Sequence, residues 1–277
     1  MPPDRRAKNQ VLELLVTTAR RHAELKASDE VALRNLQFEL KTHANGDDVV
    51  CQGERPDVAV FIVSGMLARY HTVPSGDRQY LSLHIAADMP DVQSLFLKVM
   101  DHSVCALNDA EIACFRHEAI TRLIAKHPLI GFAFWRITLV DAAIFRQAIT
   151  NNSARAPTVR LAHFCCEMYF RAREAGLLRN GRCDLPLSQS QLGQLLGMSH
   201  ISLHRALQTL RHEELLDIRD GMLEIFNWRE ITRRSAFDPT YLHAAKESLE
   251  RRRTASDTSG GLVFPRVGKS YYSKPNG

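Results

Sequence analysis

The stretch LGQLLGMSHISLHRALQTLR, Leu192 to Arg211, narrows the fold more than any other part of the chain. Its apolar residues keep a helical period up to Leu196 and resume it at Leu203, which predicts two short helices instead of one. Ser188 and Gln191 fit a capping box that opens the first helix. Gly197 can take the left-handed conformation that ends it, and Ser199 can cap the second. Gly193 is small enough to let the helices cross closely. Leu203, Ala206, Leu207 and Leu210 recur at i, i+3, i+4 and i+7, so they form the inner face of helix two. The outer face then carries Ile201, Arg205, Gln208 and His212, with Ser199 and His200 at its N-terminal tip. An isoleucine on that face needs a reason.

The segment LLDIRDGMLEIFN follows at once, and Asp220-Gly221 between two β-prone runs predicts a two-residue hairpin. Two helices and a hairpin make a winged helix–turn–helix, an arrangement that binds DNA. The competing reading is an αα-corner inside a core, and the wing and the basic outer face count against it. Charge agrees with DNA. Residues 1–152 hold 17 Lys/Arg and 18 Asp/Glu, a net of −1, while 153–277 hold 19 and 13, a net of +6. The run Arg251–Arg253 supplies half of that surplus, so charge supports the reading without carrying it.

Upstream, residues 1–37 read as two amphipathic helices, the second capped by Ser28. From Phe38 the texture becomes short Val-, Ile- and Phe-rich runs. Turn signals at Asn45-Gly46, Gly53, Ser64-Gly65, Pro74-Ser75-Gly76 and Asn108-Asp109 separate them. That pattern predicts an antiparallel sandwich or jelly roll, with Ser94–Met100 as a helical interruption. Pro128 is placed to open a long helix to about Asn152. Along it Phe132, Trp135, Leu139, Ala142, Arg146 and Ile149 recur in steps of three and four, a coiled-coil seam with one polar position. The alternative is a helix packed on its own domain. NNSARAP, Asn151–Pro157, reads as the hinge before a further helix.

No unbroken apolar run approaches the roughly 18 residues of a membrane span, and no signal-peptide pattern opens the chain. A cytoplasmic protein with no membrane partner is expected. The six cysteines form no C-x2-C pair, so buried reduced thiols are expected.

The order β domain, long helix, winged helix–turn–helix, together with LPLSQSQLGQLLGMSHISLHRALQTLRHEELL, resembles the Crp/Fnr superfamily of bacterial transcription regulators. The resemblance spans residues 30–245 and is strongest over 157–228, where VRLAHFCCEM also matches. FDPTYLH, Phe237–His243, and FWRITLVDAAIFRQ look like a branch within it that has a degenerate nucleotide cassette. The resemblance implies an α+β chain. Residues 1–127 would hold N-terminal helices and an antiparallel jelly-roll sensor of the cyclic-nucleotide-binding type, and 128–152 a dimerisation helix. Residues 153–242 would form the winged helix–turn–helix and 243–277 a disordered basic tail.

It further implies a homodimer, paired through the seam residues named above, on a palindromic double-stranded DNA site. The β domain would also offer a contact for RNA polymerase. The family's base-reading positions fall on His200, Ile201 and Arg205, and its phosphate contacts on Gln189, Ser199 and Ser202. Ser188 and Gln208 complete the DNA-facing set. Many members carry glutamate where Ile201 stands. Isoleucine cannot accept a hydrogen bond from cytosine but can pack on a thymine methyl, so a different half-site is expected.

The sensor departs further from the family. Asp91-Val92 stands where cyclic-nucleotide binders have Gly-Glu, and His102-Ser103 where they have Arg-Ser. Phe145-Arg146 replaces their adenine-contacting Thr-Ser pair. Asp91, Val92, Ser94, His102, Ser103, Phe145 and Arg146 are thus candidates for an unidentified effector. Cyclic AMP, without an arginine for its phosphate, should bind weakly or not at all.

No cofactor is predicted. The first cysteine is Cys51, which does not suit an N-terminal iron–sulfur cluster, and the twelve histidines show no haem spacing. Two alternatives to an effector-controlled regulator stand. One is a ligand-independent regulator whose β domain is only a scaffold. The other is a cupin-like metal enzyme, for which His84 and His102 lack the H-x-H spacing. No enzyme activity and no metal site are expected.

Overall fold

The computed structural model describes residues 5–244. The basic tail therefore lies outside the described residues from 245 onward.

Two helices open the chain, α1 (Arg5–His22) and α2 (Ala27–Arg34). Ser28 does not cap α2; it sits in the first turn. Asp29 does so instead, its carboxylate accepting from the Lys26 amide at 2.9 Å. A carboxylate at the third helical position reaches back to that free amide, which a serine one residue earlier cannot. Asp29 also meets His127 Nδ1 at 2.8 Å, tying α2 to the start of the long helix.

The β domain holds β1 (Glu39–His43), β2 (Asp48–Val50), β3 (Val58–Ser64), β4 (Leu67–Thr72), β5 (Arg78–His84), β6 (Ser103–Ala106) and β7 (Ala110–Arg116). They pair antiparallel into two sheets, β1-β7-β3 and β2-β6-β4-β5. In the first sheet β3 and β7 are covered on both faces. Val60 and Ile62 of β3 join Ile112 and Cys114 of β7 in the core between the sheets. Ala59, Phe61, Ala113 and Phe115 pack on the helices from the other side. That is why VAVFIV reads as a continuous apolar run and not an alternation. Each of its large side chains removed from water contributes about 1.5–3 kcal/mol.

The helical turn in the cassette is a 3-10 turn over Val92–Leu95, not Ser94–Met100. The backbone explains the shift. Gly53 donates to the Met100 carbonyl at 2.8 Å and Met100 donates to Glu54 at 2.9 Å, so Met100 is held in an extended pairing.

Then come α3 (His117–Lys126), α4 (Pro128–Ala154) and α5 (Pro157–Glu174). The hinge is narrower than the sequence suggests, because Asn151–Ala154 stay helical. Only Arg155 and Ala156 are extended, since Pro157 excludes a helical residue before it. α4 is long and apolar enough, by length and composition, to cross a membrane. No unbroken apolar run in it reaches that length, since Arg136, Asp141 and Arg146 interrupt it, but they do not offset the apolar average. In the fold its buried face, Ile130, Ala133 and Phe134, packs in one cluster with α1, β3 and β7.

The last part holds β8 (Arg182–Asp184), α6 (Gln189–Leu196), α7 (His200–His212), β9 (Leu216–Arg219), β10 (Met222–Ile225) and α8 (Trp228–Ser235). The wing is a three-stranded sheet, β8-β10-β9, one strand more than the hairpin foreseen. A 3-10 turn at Pro239–Leu242 then brings Tyr241 to Glu167 of α5, its hydroxyl donating at 2.6 Å. The outer face of β4 and β5 shares one apolar cluster with α5, α6 and α7. Gln79 of β5 donates to the Gln194 carbonyl at 2.8 Å, so α6 rests against the β domain.

Candidate nucleic-acid interface and sensor interior

α6 and α7 are built as their capping residues demand. Ser188 Oγ accepts from the Gln191 amide at 3.2 Å, while Gln191 Oε1 accepts from the Ser188 amide at 2.8 Å. Gly197 ends α6 with φ of 60°. A Cβ on Gly193 would lie 3.0 Å from the Met198 carbonyl, so the turn needs its hydrogen. Ser199 caps α7, accepting from the Ser202 amide at 3.2 Å. Leu203, Ala206, Leu207 and Leu210 are buried.

The other face of α7 is open. Ser188, Gln189, Ser199, His200, Ile201, Arg205 and Gln208 are exposed, and Ser202 is half-buried against Ser199. Ile201 is 64% exposed, so it is not a core residue. The wing turn has positive φ at Asp220 and Gly221, as a two-residue hairpin requires.

Arg160 fixes this module to the hinge. Its Nη1 donates to the carbonyls of Leu196 at 2.9 Å and Gly197 at 3.1 Å, and its Nη2 donates to Arg155 at 3.1 Å. One side chain thus holds both the break between α4 and α5 and the turn between α6 and α7.

On α4 the seam residues lie on the open side. Phe132, Trp135, Leu139 and Ile149 are 61, 58, 49 and 69% exposed. Ala142 is half-buried and Arg146 is exposed. Four large apolar side chains are thus exposed along one helix face.

Inside the β domain a charged side chain is held by the chain's own groups. Arg69 stands on β4 where alternation points into the fold, and it is 3% exposed. Its Nη1 donates to Asp141 of α4 at 2.6 Å, and its Nε to the Pro90 carbonyl at 2.9 Å. Its guanidinium lies 5.3 Å from the centre of the Phe145 ring. The cassette residues are buried around it. Asp91 Oδ1 accepts from Val60, Ser103 Oγ accepts from Gln52, and Ser94 Oγ pairs with His117 Nε2, each at 2.9 Å. His102 Nδ1 pairs with Asp101 at 2.7 Å. Val92 is buried in the core.

Two sequence models match the chain in order. One is the Cyclic nucleotide-binding domain, over residues 40–127, and the other is the Crp-like helix-turn-helix domain, over residues 159–234. The chain belongs to the Crp/Fnr family. It is a transcriptional regulator with a DNA-binding helix–turn–helix. The transcriptional activator protein FnrL of Cereibacter sphaeroides is 23% identical over 210 residues, 74% of this chain and 80% of that protein. The transcriptional activator protein Anr of Pseudomonas protegens is 20% identical over 193 residues, 70% of this chain and 77% of that protein. The structure of FixK2 from Bradyrhizobium japonicum superposes with a TM-score of 0.64 at 18% identity, covering 72% of this chain and 97% of that one.

In this Crp/Fnr regulator, Arg69, Arg160 and Arg171 escaped the sequence reading. Arg69 left a signal, a charged residue at an inward position of a strand. Arg160 and Arg171 left none, because the partners that tie them to other elements, the Leu196 and Gly197 carbonyls for Arg160 and Leu83 and Asp88 for Arg171, are far away in sequence. Among the described residues no three His, Cys, Asp or Glu side chains are grouped to hold a metal ion. His84 meets Ser82 Oγ at 3.0 Å, while His102 pairs with Asp101.

Burial lifts the Asp91 carboxyl to about 7, against the lowering effects of the Val60 amide and Arg69. The folded chain therefore holds this proton more tightly than the unfolded one. Stability from the group is fully present below the ordinary carboxylate value and is lost as pH rises toward 7. Asp91→Asn keeps the acceptor for Val60 and cannot ionise. Its stability relative to wild type is expected to improve by ~1–3 kcal/mol between pH 5 and pH 8. Denaturant titrations at the two pH values measure this, and a constant difference contradicts it.

Proposed function

We propose that the protein is a homodimeric, sequence-specific regulator that pairs through the α4 seam and places two α7 helices in successive major grooves of a palindromic site. The observation that carries this reading is the outer face of α7. His200, Ile201, Arg205 and Gln208 are exposed above a fully buried leucine face, and Arg205 and Gln208 have no side-chain partner among the described residues. A DNA-reading helix needs such unspent groups, because each base contact uses a free donor, acceptor or methyl-sized surface. Arg205 suits a bidentate contact to guanine and Ile201 a thymine methyl. Ser188, Gln189, Ser199 and Ser202 surround two helix N-termini, where phosphates are held. The protein would act in the cytoplasm, where its DNA lies.

Arg205→Ala should cost about 1–3 kcal/mol of discrimination at one base of each half-site. Ile201→Glu should change the preferred base at a neighbouring position. Binding-site selection with the two variants reads both effects. A motif unchanged by Ile201→Glu overturns this docking of α7.

The β domain is the scaffold in this reading. The buried Arg69–Asp141 pair, the Phe145 ring and the bonded cassette side chains favour a sensor interior that takes no cyclic nucleotide. Calorimetric titration with cyclic AMP should give no saturable heat, and micromolar binding contradicts this part of the reading. Any small molecule that controls the protein then acts elsewhere.

A further inference from the structure

The apolar stripe of α4 is broken once, by Arg146. In two parallel helices related by a two-fold axis, each residue of the seam faces its own copy. The step pattern 132, 135, 139, 142, 146, 149 places Arg146 at such a position, level with the Arg146 of a second copy. Two guanidinium groups then meet between the layers of Ala142 and Ile149.

Nothing on the helix neutralises them. Asp141 is the sole acidic residue of Pro128–Ala154, and it is bound to Arg69 within its own copy. The positions that flank the seam hold Arg136, Thr138, Ala143, Phe145, Thr150 and Asn152, without a carboxylate. Arg146 is exposed and has no side-chain partner among the described residues. Facing guanidinium forks offer donors from both sides to one planar or tetrahedral oxyanion.

We propose that the two-fold axis holds a small oxyanion with two negative charges, bridged by Arg146 of both copies, and that this anion tightens the dimer. The inference rests on the homodimer reading. A ligand that binds only the paired state shifts the monomer–dimer balance by mass action. The anion would lie outside the β domain, on the helix that leads into the hinge at Arg155.

Sedimentation equilibrium without DNA tests it, with inorganic phosphate compared against chloride at matched ionic strength. Wild type should dimerise about tenfold more tightly in phosphate. Arg146→Leu should dimerise tightly in chloride and gain no such increment from phosphate. That variant also controls for the general strengthening of apolar contacts by phosphate, which would persist in it. A wild-type dimer of equal strength in both salts overturns the anion site and leaves the dimer standing. So does an Arg146→Leu dimer with the full phosphate response. A chain that is monomeric in both salts overturns the dimer reading and the anion site together.

Discussion

If α4 pairs the protein as proposed, Leu139→Asp is expected to give a folded monomer that binds a palindromic duplex at least about a hundredfold more weakly than wild type. Leu139 is 49% exposed and belongs to no buried cluster, so the single chain loses little when it changes. Denaturation of the isolated subunit should shift by no more than about 1 kcal/mol. The loss falls on the pair. An aspartate at the middle of the seam faces a second aspartate, and both replace a buried apolar contact with charge. DNA affinity follows because two linked half-site contacts reinforce each other, the second being made at high local concentration. On a duplex with one half-site the variant and wild type should bind alike. Sedimentation and gel-shift measurements on both duplexes read this. A Leu139→Asp protein that remains dimeric contradicts the seam.

The second large effect is expected at Arg171, which joins α5 to the β domain. Its Nη2 donates to Asp88 Oδ2 at 2.7 Å and to the Leu83 carbonyl at 3.0 Å, and its Nη1 lies 3.7 Å from Glu167 Oε1. Arg171→Met keeps the length of the side chain and removes the charge. Asp88 retains the Ile85 amide and Glu167 retains the Tyr241 hydroxyl, but both lose their cation. Breaking a buried pair from one side costs about 3–5 kcal/mol. The low end applies, since Asp88 is partly open to water. Urea denaturation should show this loss. Combined with Asp88→Asn, the two changes should be non-additive by more than about 1 kcal/mol. Additive effects, or a wild-type midpoint for Arg171→Met, contradict the role given to the pair.

The parts legible in the sequence are those fixed by neighbours along the chain. Ser188, Gln191, Gly197 and Ser199 act within four residues of their partners, so both caps and the turn of the helix–turn–helix could be read from spacing. The exposed apolar stripe of α4 was readable for the same reason, as was the Asp220-Gly221 turn. Ser28 misled because serine is a common cap, while Asp29 one position later had the longer reach. β8 was missed because three residues, Arg182–Asp184, carry too little pattern to separate from a loop. The sensor was harder to read. Asp91, His102 and Phe145 could be singled out by position alone, but the charge buried beside them is Arg69, on a strand about 20 residues before the cassette. Its partner Asp141 is 72 residues away in the chain. Such contacts follow from the closing of the fold and leave no local spacing to find.

Selection from a pool of random duplexes at physiological salt tests the central claim most directly. The account predicts enrichment of a two-fold symmetric site with half-site centres about 10 base pairs apart, and loss of that symmetry with Leu139→Asp. Enrichment of a single asymmetric half-site by wild type, or no enrichment over bulk DNA, would contradict it.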